Sequence, residues 1–103
     1  MKLIEKLVDR ICDEIGDVKF YAKFASEVRD THPGLAQVLY TISGQEDAHQ
    51  AALHAEIVKI IEQYRREHSE PPAAMMAVYE HEHRKAIEKM AEARRYQDIY
   101  KSS

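Results

Sequence analysis

The chain has 103 residues, 45% of them hydrophobic and 32% charged, with three Gly, three Pro, no Trp and a single Cys. That is enough for one domain with a thin core, and the composition is that of a helical chain poor in turns rather than a disordered one. Fifteen basic against eighteen acidic residues leave a net charge of −3, which excludes a nucleic-acid-binding surface or a polybasic membrane anchor, and Cys12 alone excludes an intrachain disulfide.

The first 17 residues, MKLIEKLVDRICDEIGD, carry a charge every two or three positions. They therefore read as neither a signal peptide nor a membrane span, and with one thiol the expected location is a reducing cytoplasm. Leu3, Leu7, Ile11, Ile15, Val18, Ala22, Ala25 and Val28 recur at steps of three and four, the spacing that lines one face of a helix over about residues 3–29. RDTHPG, residues 29–34, ends that helix. Thr31 is placed to cap the next one, and Pro33 suits a first helical turn. The apolar stripe resumes as Leu35, Leu39, Ile42, Leu53, Ile57, Ile60 and Tyr64, predicting a second helix over 33–67. HSEPPAA breaks it, and Pro71 and Pro72 open a third helix, 72–100, carrying Met75, Tyr79, Ala86, Met90, Ala93 and Tyr100. The expected fold is a single all-α domain over residues 1–103, with the first two helices forming an antiparallel hairpin.

Two residues of the second stripe are polar. Between Ile42 and Leu53 the core-facing slots fall on Glu46 and His49, and Glu14 stands at the edge of the matching face of the first helix. A turn centred between Thr31 and His32 puts His49 level with Glu14. It puts Glu46 level with Asp17, three residues or about 4.5 Å further along. Burying an unpaired carboxylate costs several kcal/mol, so carboxylates and an imidazole at one level need a proton, a hydrogen-bonded partner or a cation. An oxygen-rich set with one imidazole suits iron or manganese better than a closed zinc site. The alternative is a plain hydrogen-bonded Glu46–His49 pair at a wet edge, with Glu14 ion-paired to Arg10 or Lys19.

The stretch from Asp13 to His54, DEIGDVKFYAKFASEVRDTHPGLAQVLYTISGQEDAHQAALH, resembles the ferritin-like superfamily of di-iron carboxylate proteins, nearest to rubrerythrin-type domains and encapsulated ferritins. The resemblance rests on Glu14 followed by Glu46-x-x-His49, on FYAKFA after the first Glu, and on HPGLAQVL before the second helix. It implies Glu14 as the first-helix ligand, Glu46 as the bridging or chelating carboxylate and His49 as the terminal imidazole. These three residues would then be both the metal ligands and the catalytic set. The implied cofactor is a di-iron centre, with manganese or zinc as substitutes, and the implied activity is that of a ferroxidase or a peroxide- or O2-reactive oxidase. One hairpin supplies only half of such a site, so a four-helix bundle and its second set of ligands would come from a two-fold-related copy, in a homodimer or a higher homo-oligomer. Encapsulated ferritins work inside a protein shell and rubrerythrins with an electron-transfer module. RRYQDIYKSS shows no shell-targeting pattern, and one cysteine does not build such a module.

The third helix carries a charged and histidine-rich cluster, Glu80, His81, Glu82 and His83, with Glu92 two turns or more beyond. Simple hairpin geometry sets His83 level with Val58, roughly 13 Å along the axis from His49, while Glu92 falls level with His49. Glu80, Glu82, His83 and Glu92 are thus secondary metal candidates, and a solvated face is the competing reading. His54 is expected at a helix interface. A different class of function, a metal-free helical assembly or interaction module, would use Met75, Met76, Tyr79 and Met90 as an association surface.

Overall fold

The computed structural model describes residues 2–102, which form three helices and, among the described residues, no strand. They are α1 (Lys2–Val28), α2 (Pro33–Glu67) and α3 (Ala73–Ser102), and the molecule is a rod of 56 × 19 × 18 Å. Among the described residues no helix is long and apolar enough to cross a membrane. Helix ends fall within two residues of the expected ones, because Pro33 sits in the first turn of α2 and Pro71–Pro72 precede α3. Thr31 does not cap α2. Its hydroxyl turns back to the Val28 carbonyl at 3.4 Å, and His32 stands at the N-cap without a side-chain capping bond, its Nδ1 2.9 Å from the Thr31 hydroxyl.

Helix α1 is the middle element. It packs along both α2 and α3, whereas α2 and α3 scarcely touch at the backbone and meet through long side chains. The reason is visible in composition: α1 has the broadest apolar face, with Ile4, Ile11, Ile15, Val18, Ala22 and Ala25 all buried. Ala22 and Ala25 are small enough to let a second helix approach closely. Ile57, Ile61, Met90 and Ala93 complete the main cluster, with Leu7, Val8, Leu53, Ile60, Met75, Met76, Tyr79 and Ala86 half-buried against it. Burying an Ile side chain contributes about 1.5–3 kcal/mol, so this cluster supplies most of the fold's stability.

One feature of the expected core is shifted. On α2 the buried line runs Ala36, Leu39, Ser43, Ile57 and Ile61, while Leu35 and Val38 are exposed and Ile42, Leu53 and Ile60 are half-exposed. On α1 it is Ile4, and not Leu3, that enters the core. The apolar stripe of α2 is wider than α1 can cover, so one edge of it stays open. Met90 is buried, and Met75, Met76 and Tyr79 pack on the core, so the association surface expected on α3 is largely spent inside the chain.

Polar contacts set the register. Ser43 is fully buried, donates to the Val18 carbonyl at 2.7 Å and accepts from Gln97 Nε2 at 3.1 Å, tying all three helices at one level. Arg94 reaches Asp47 at 3.2 Å, Tyr100 stacks on Tyr40 with centroids 4.6 Å apart, and the Arg29 guanidinium donates to the Tyr100 carbonyl. Lys19 pairs with Glu92 at 2.9 Å between α1 and α3.

Candidate metal centre

Glu14, Glu46 and His49 come together where α1 and α2 run side by side. Their ligand atoms all lie within 4.8 Å of one another, and they are the only such group of His, Cys, Asp and Glu among the described residues. His49 Nδ1 is 3.6 Å from Glu14 Oε2 and 3.9 Å from Glu46 Oε2. Two donors about 2.1 Å from one ion can stand at most about 4.2 Å apart, so both separations fit a shared ion, and neither is a hydrogen bond.

Burial is uneven. Glu14 is only 5% exposed, the Glu46 side chain 19% and the His49 side chain 60%. His49 therefore does not point into the core of its own chain, contrary to its place in the apolar stripe. It lies on the open edge of α2, on the same side as Leu35, Val38, Ile42, Leu53 and Ile60, which are spaced from it and from each other by helical steps of three, four and seven.

The two oxygens of Glu14 have different fates. Oε1 accepts a charge-assisted bond from Arg10 Nη2 at 2.7 Å, one turn earlier on α1. Oε2 is buried and has no hydrogen-bond partner, the only side-chain atom of that kind among the described residues. Of the expected alternative, the Glu14–Arg10 ion pair is present, but Glu14 is buried and Glu46 stands 3.9 Å from His49 without a hydrogen bond, so one carboxylate oxygen is left unsatisfied. Such an atom costs about 1–3 kcal/mol, and a group of that kind in a folded chain calls for an explanation. Oε2, Glu46 and His49 together are a donor set that could hold a hard or borderline cation, which would meet that need.

The secondary candidates are elsewhere. Glu92 is held by Lys19, whose hydrogen bond and charge keep its carboxyl below the usual carboxylate range and raise the Lys19 ammonium in turn. Glu80 is exposed and Glu82 is 3.8 Å from Lys85. His83 does not lie level with Val58 but one turn nearer, where its Nδ1 is 3.1 Å from His54 Nε2, and the Tyr79 hydroxyl is 3.4 Å from the same nitrogen. Burial, and then the neighbouring His83, push the His54 imidazole down from its ordinary pKa, while burial pushes the Tyr79 phenol and the Cys12 thiol up. Sequence spacing missed this second cluster because its members sit on two helices with no local motif; the signal available was His54, five residues past His49 and so on a different face of α2.

A groove of about 480 Å³ lies between the starts of α1 and α3, over Ile4, Val8, Val78 and Tyr79 with Glu5, Asp9 and Glu82 at its rim; it is away from the carboxylate cluster and borders the second one through Tyr79. No three metal-type donors converge there.

No family model matches the chain, and neither a curated protein nor a solved structure matches it. The functional reading rests on the residues of this chain alone.

Proposed function

We propose that this chain is a ferritin-like metal protein that binds iron, with manganese or zinc as substitutes, through Glu14, Glu46 and His49, at a site shared by two copies in a reducing cytoplasm. The observation that carries the reading is the buried, unpartnered Oε2 of Glu14, 3.6 Å from the His49 imidazole and in one cluster with Glu46. A second copy is required by ligand number, since three side chains of one chain make half of a di-iron set. It is favoured by the open apolar edge of α2 that runs through His49. A two-fold axis beside that edge would cover Leu35, Val38 and Ile42, bury His49 and bring its counterpart across.

In this arrangement Glu14 would supply a carboxylate fixed by burial, Glu46 a second, less buried carboxylate, and His49 an imidazole from the open side. Iron bound there would supply the redox chemistry with O2 or peroxide of a ferroxidase or related oxidase. Arg10 holds Glu14 Oε1 in the meantime, and its half-exposed side chain can swing out when both oxygens are needed.

The test is metal analysis of protein loaded anaerobically with Fe(II), together with its solution mass. About two irons per two chains, lost in Glu46→Ala and in His49→Ala, is the expected result for a half-site of this ligand class. A dimer of unchanged stability that takes up no iron would instead establish the metal-free assembly module, using the same apolar edge.

A further inference from the structure

The second polar cluster is a candidate site of a different chemical kind. A cavity of about 20 Å³ between α1, α2 and α3 is lined by His54, His83, Tyr79, Glu82 and Cys12. Its remaining walls are Val8, Ile11, Ile57 and Ala86, all apolar. A space of that size holds one water-sized particle, and ordinary packing would fill it with a methyl group. Here five of the nine lining side chains bear a donor atom.

The spacing of the donors is specific. His54 Nε2 is the hub, 3.1 Å from His83 Nδ1 and 3.4 Å from the Tyr79 oxygen. Two ligands about 2.0–2.1 Å from a tetrahedral ion stand about 3.3–3.4 Å apart, so these atoms are within a few tenths of an ångström of the positions a tetrahedral ion would impose. The ring planes differ by 18° with centroids 4.7 Å apart, and the terminal torsion of a histidine is soft, so a small turn of either ring aims both lone pairs at one point.

We propose that His54 and His83 bind a borderline divalent ion of the zinc class at this cavity, as a second metal site separate from the carboxylate centre. The ion takes the place of the hydrogen bond between the two rings. His83 carries its proton on Nε2 instead of Nδ1, so no net proton is lost from the pair. Two imidazoles with the Tyr79 hydroxyl beside them prefer zinc, or its probe cobalt, over the magnesium and manganese that carboxylates hold, and water would complete the coordination. Because the first site is built from oxygen and this one from nitrogen, the two discriminate between metals within one chain. The ion would also join α2 to α3, whose backbones scarcely touch.

The experiment uses the full chain with both Glu46 and His49 replaced by Ala, so that the carboxylate centre is silent, titrated anaerobically with Co2+ and followed by its visible absorption. About one Co2+ per chain, with the intense bands of a four-coordinate ion and displaced by Zn2+, is the expected result. Adding His54→Ala or His83→Ala should weaken that binding about a hundredfold or more while far-UV circular dichroism stays helical. Should an Ala variant lose helix, His83→Gln, which keeps a hydrogen-bonding group facing His54, is the deciding variant. Absence of Co2+ uptake by the Glu46→Ala, His49→Ala protein, or uptake indifferent to all three histidine changes, would overturn the second site without bearing on the first.

Discussion

The two polar clusters differ in how they are made. Glu14, Glu46 and His49 lie where α1 and α2 face each other, with an i, i+3 pair on one helix and its partner directly across, and the cluster is open to solvent on the His49 side. His54, His83 and Tyr79 lie between α2 and α3, half-buried, drawn from positions 25 to 29 residues apart in the chain. One is rich in carboxylate oxygen and holds a buried atom without a partner. The other is rich in imidazole nitrogen and its donors satisfy each other. The lesson is that the first cluster has a polar need its own chain does not meet, whereas a cation at the second would have to take the place of a hydrogen bond that is already made.

The comparison breaks most sharply through metal content. Glu14→Ala should abolish iron uptake, a loss of about a hundredfold or more in affinity, while His54→Ala leaves it unchanged; elemental analysis after desalting reads both. Equal losses in the two variants would merge the clusters into one system. A smaller effect is expected from Arg10→Gln. Without the guanidinium both oxygens of the buried Glu14 lack partners, so the metal-free protein should lose about 1–3 kcal/mol in urea unfolding. Iron affinity should rise in the same variant, because a competing cation is gone, and a calorimetric titration decides the sign.

Ser43→Ala addresses the framework common to both. Removing the hydroxyl leaves the Val18 carbonyl and Gln97 without their buried partner, for a loss of about 1–2 kcal/mol and a melting temperature lower by several degrees, with no change in metal stoichiometry. The smallest effect belongs to the exposed Lys19–Glu92 pair. Glu92 has a depressed pKa in the folded chain, so its contribution is present above its ordinary pKa and fades as pH falls through the lowered folded value. Glu92→Gln should therefore flatten the acid limb of a stability-against-pH curve slightly and leave the neutral region almost untouched.

Much of this was legible without coordinates. The proline positions bounded the helices, and the level of Glu14 with His49 followed from treating α1 and α2 as equal rods joined by a short turn. The register of α3 followed in part: Arg94 meets Asp47 where simple hairpin geometry places it, yet His83 meets His54 and not Val58. Helices that touch only through side chains are free to diverge and slip along their length, so a single offset does not hold. The burial of α2 was misread in one respect, because a stripe of apolar residues states what is apolar and not which neighbour covers it. Leu35 and His49 share that stripe and both lie open.

What the amino-acid order determined by itself was local: three helices, their ends, and the acid and imidazole groups carried on each, since periodicity and proline act within a few residues. Only the tertiary arrangement decided that Glu14 Oε2 would be sealed from water and that His54 would face His83, whereas the Arg10–Glu14 pair is an i, i+4 contact within α1. Those outcomes depend on which face of each rod the central helix covers, and that is set by the packing of side chains from all three helices at once.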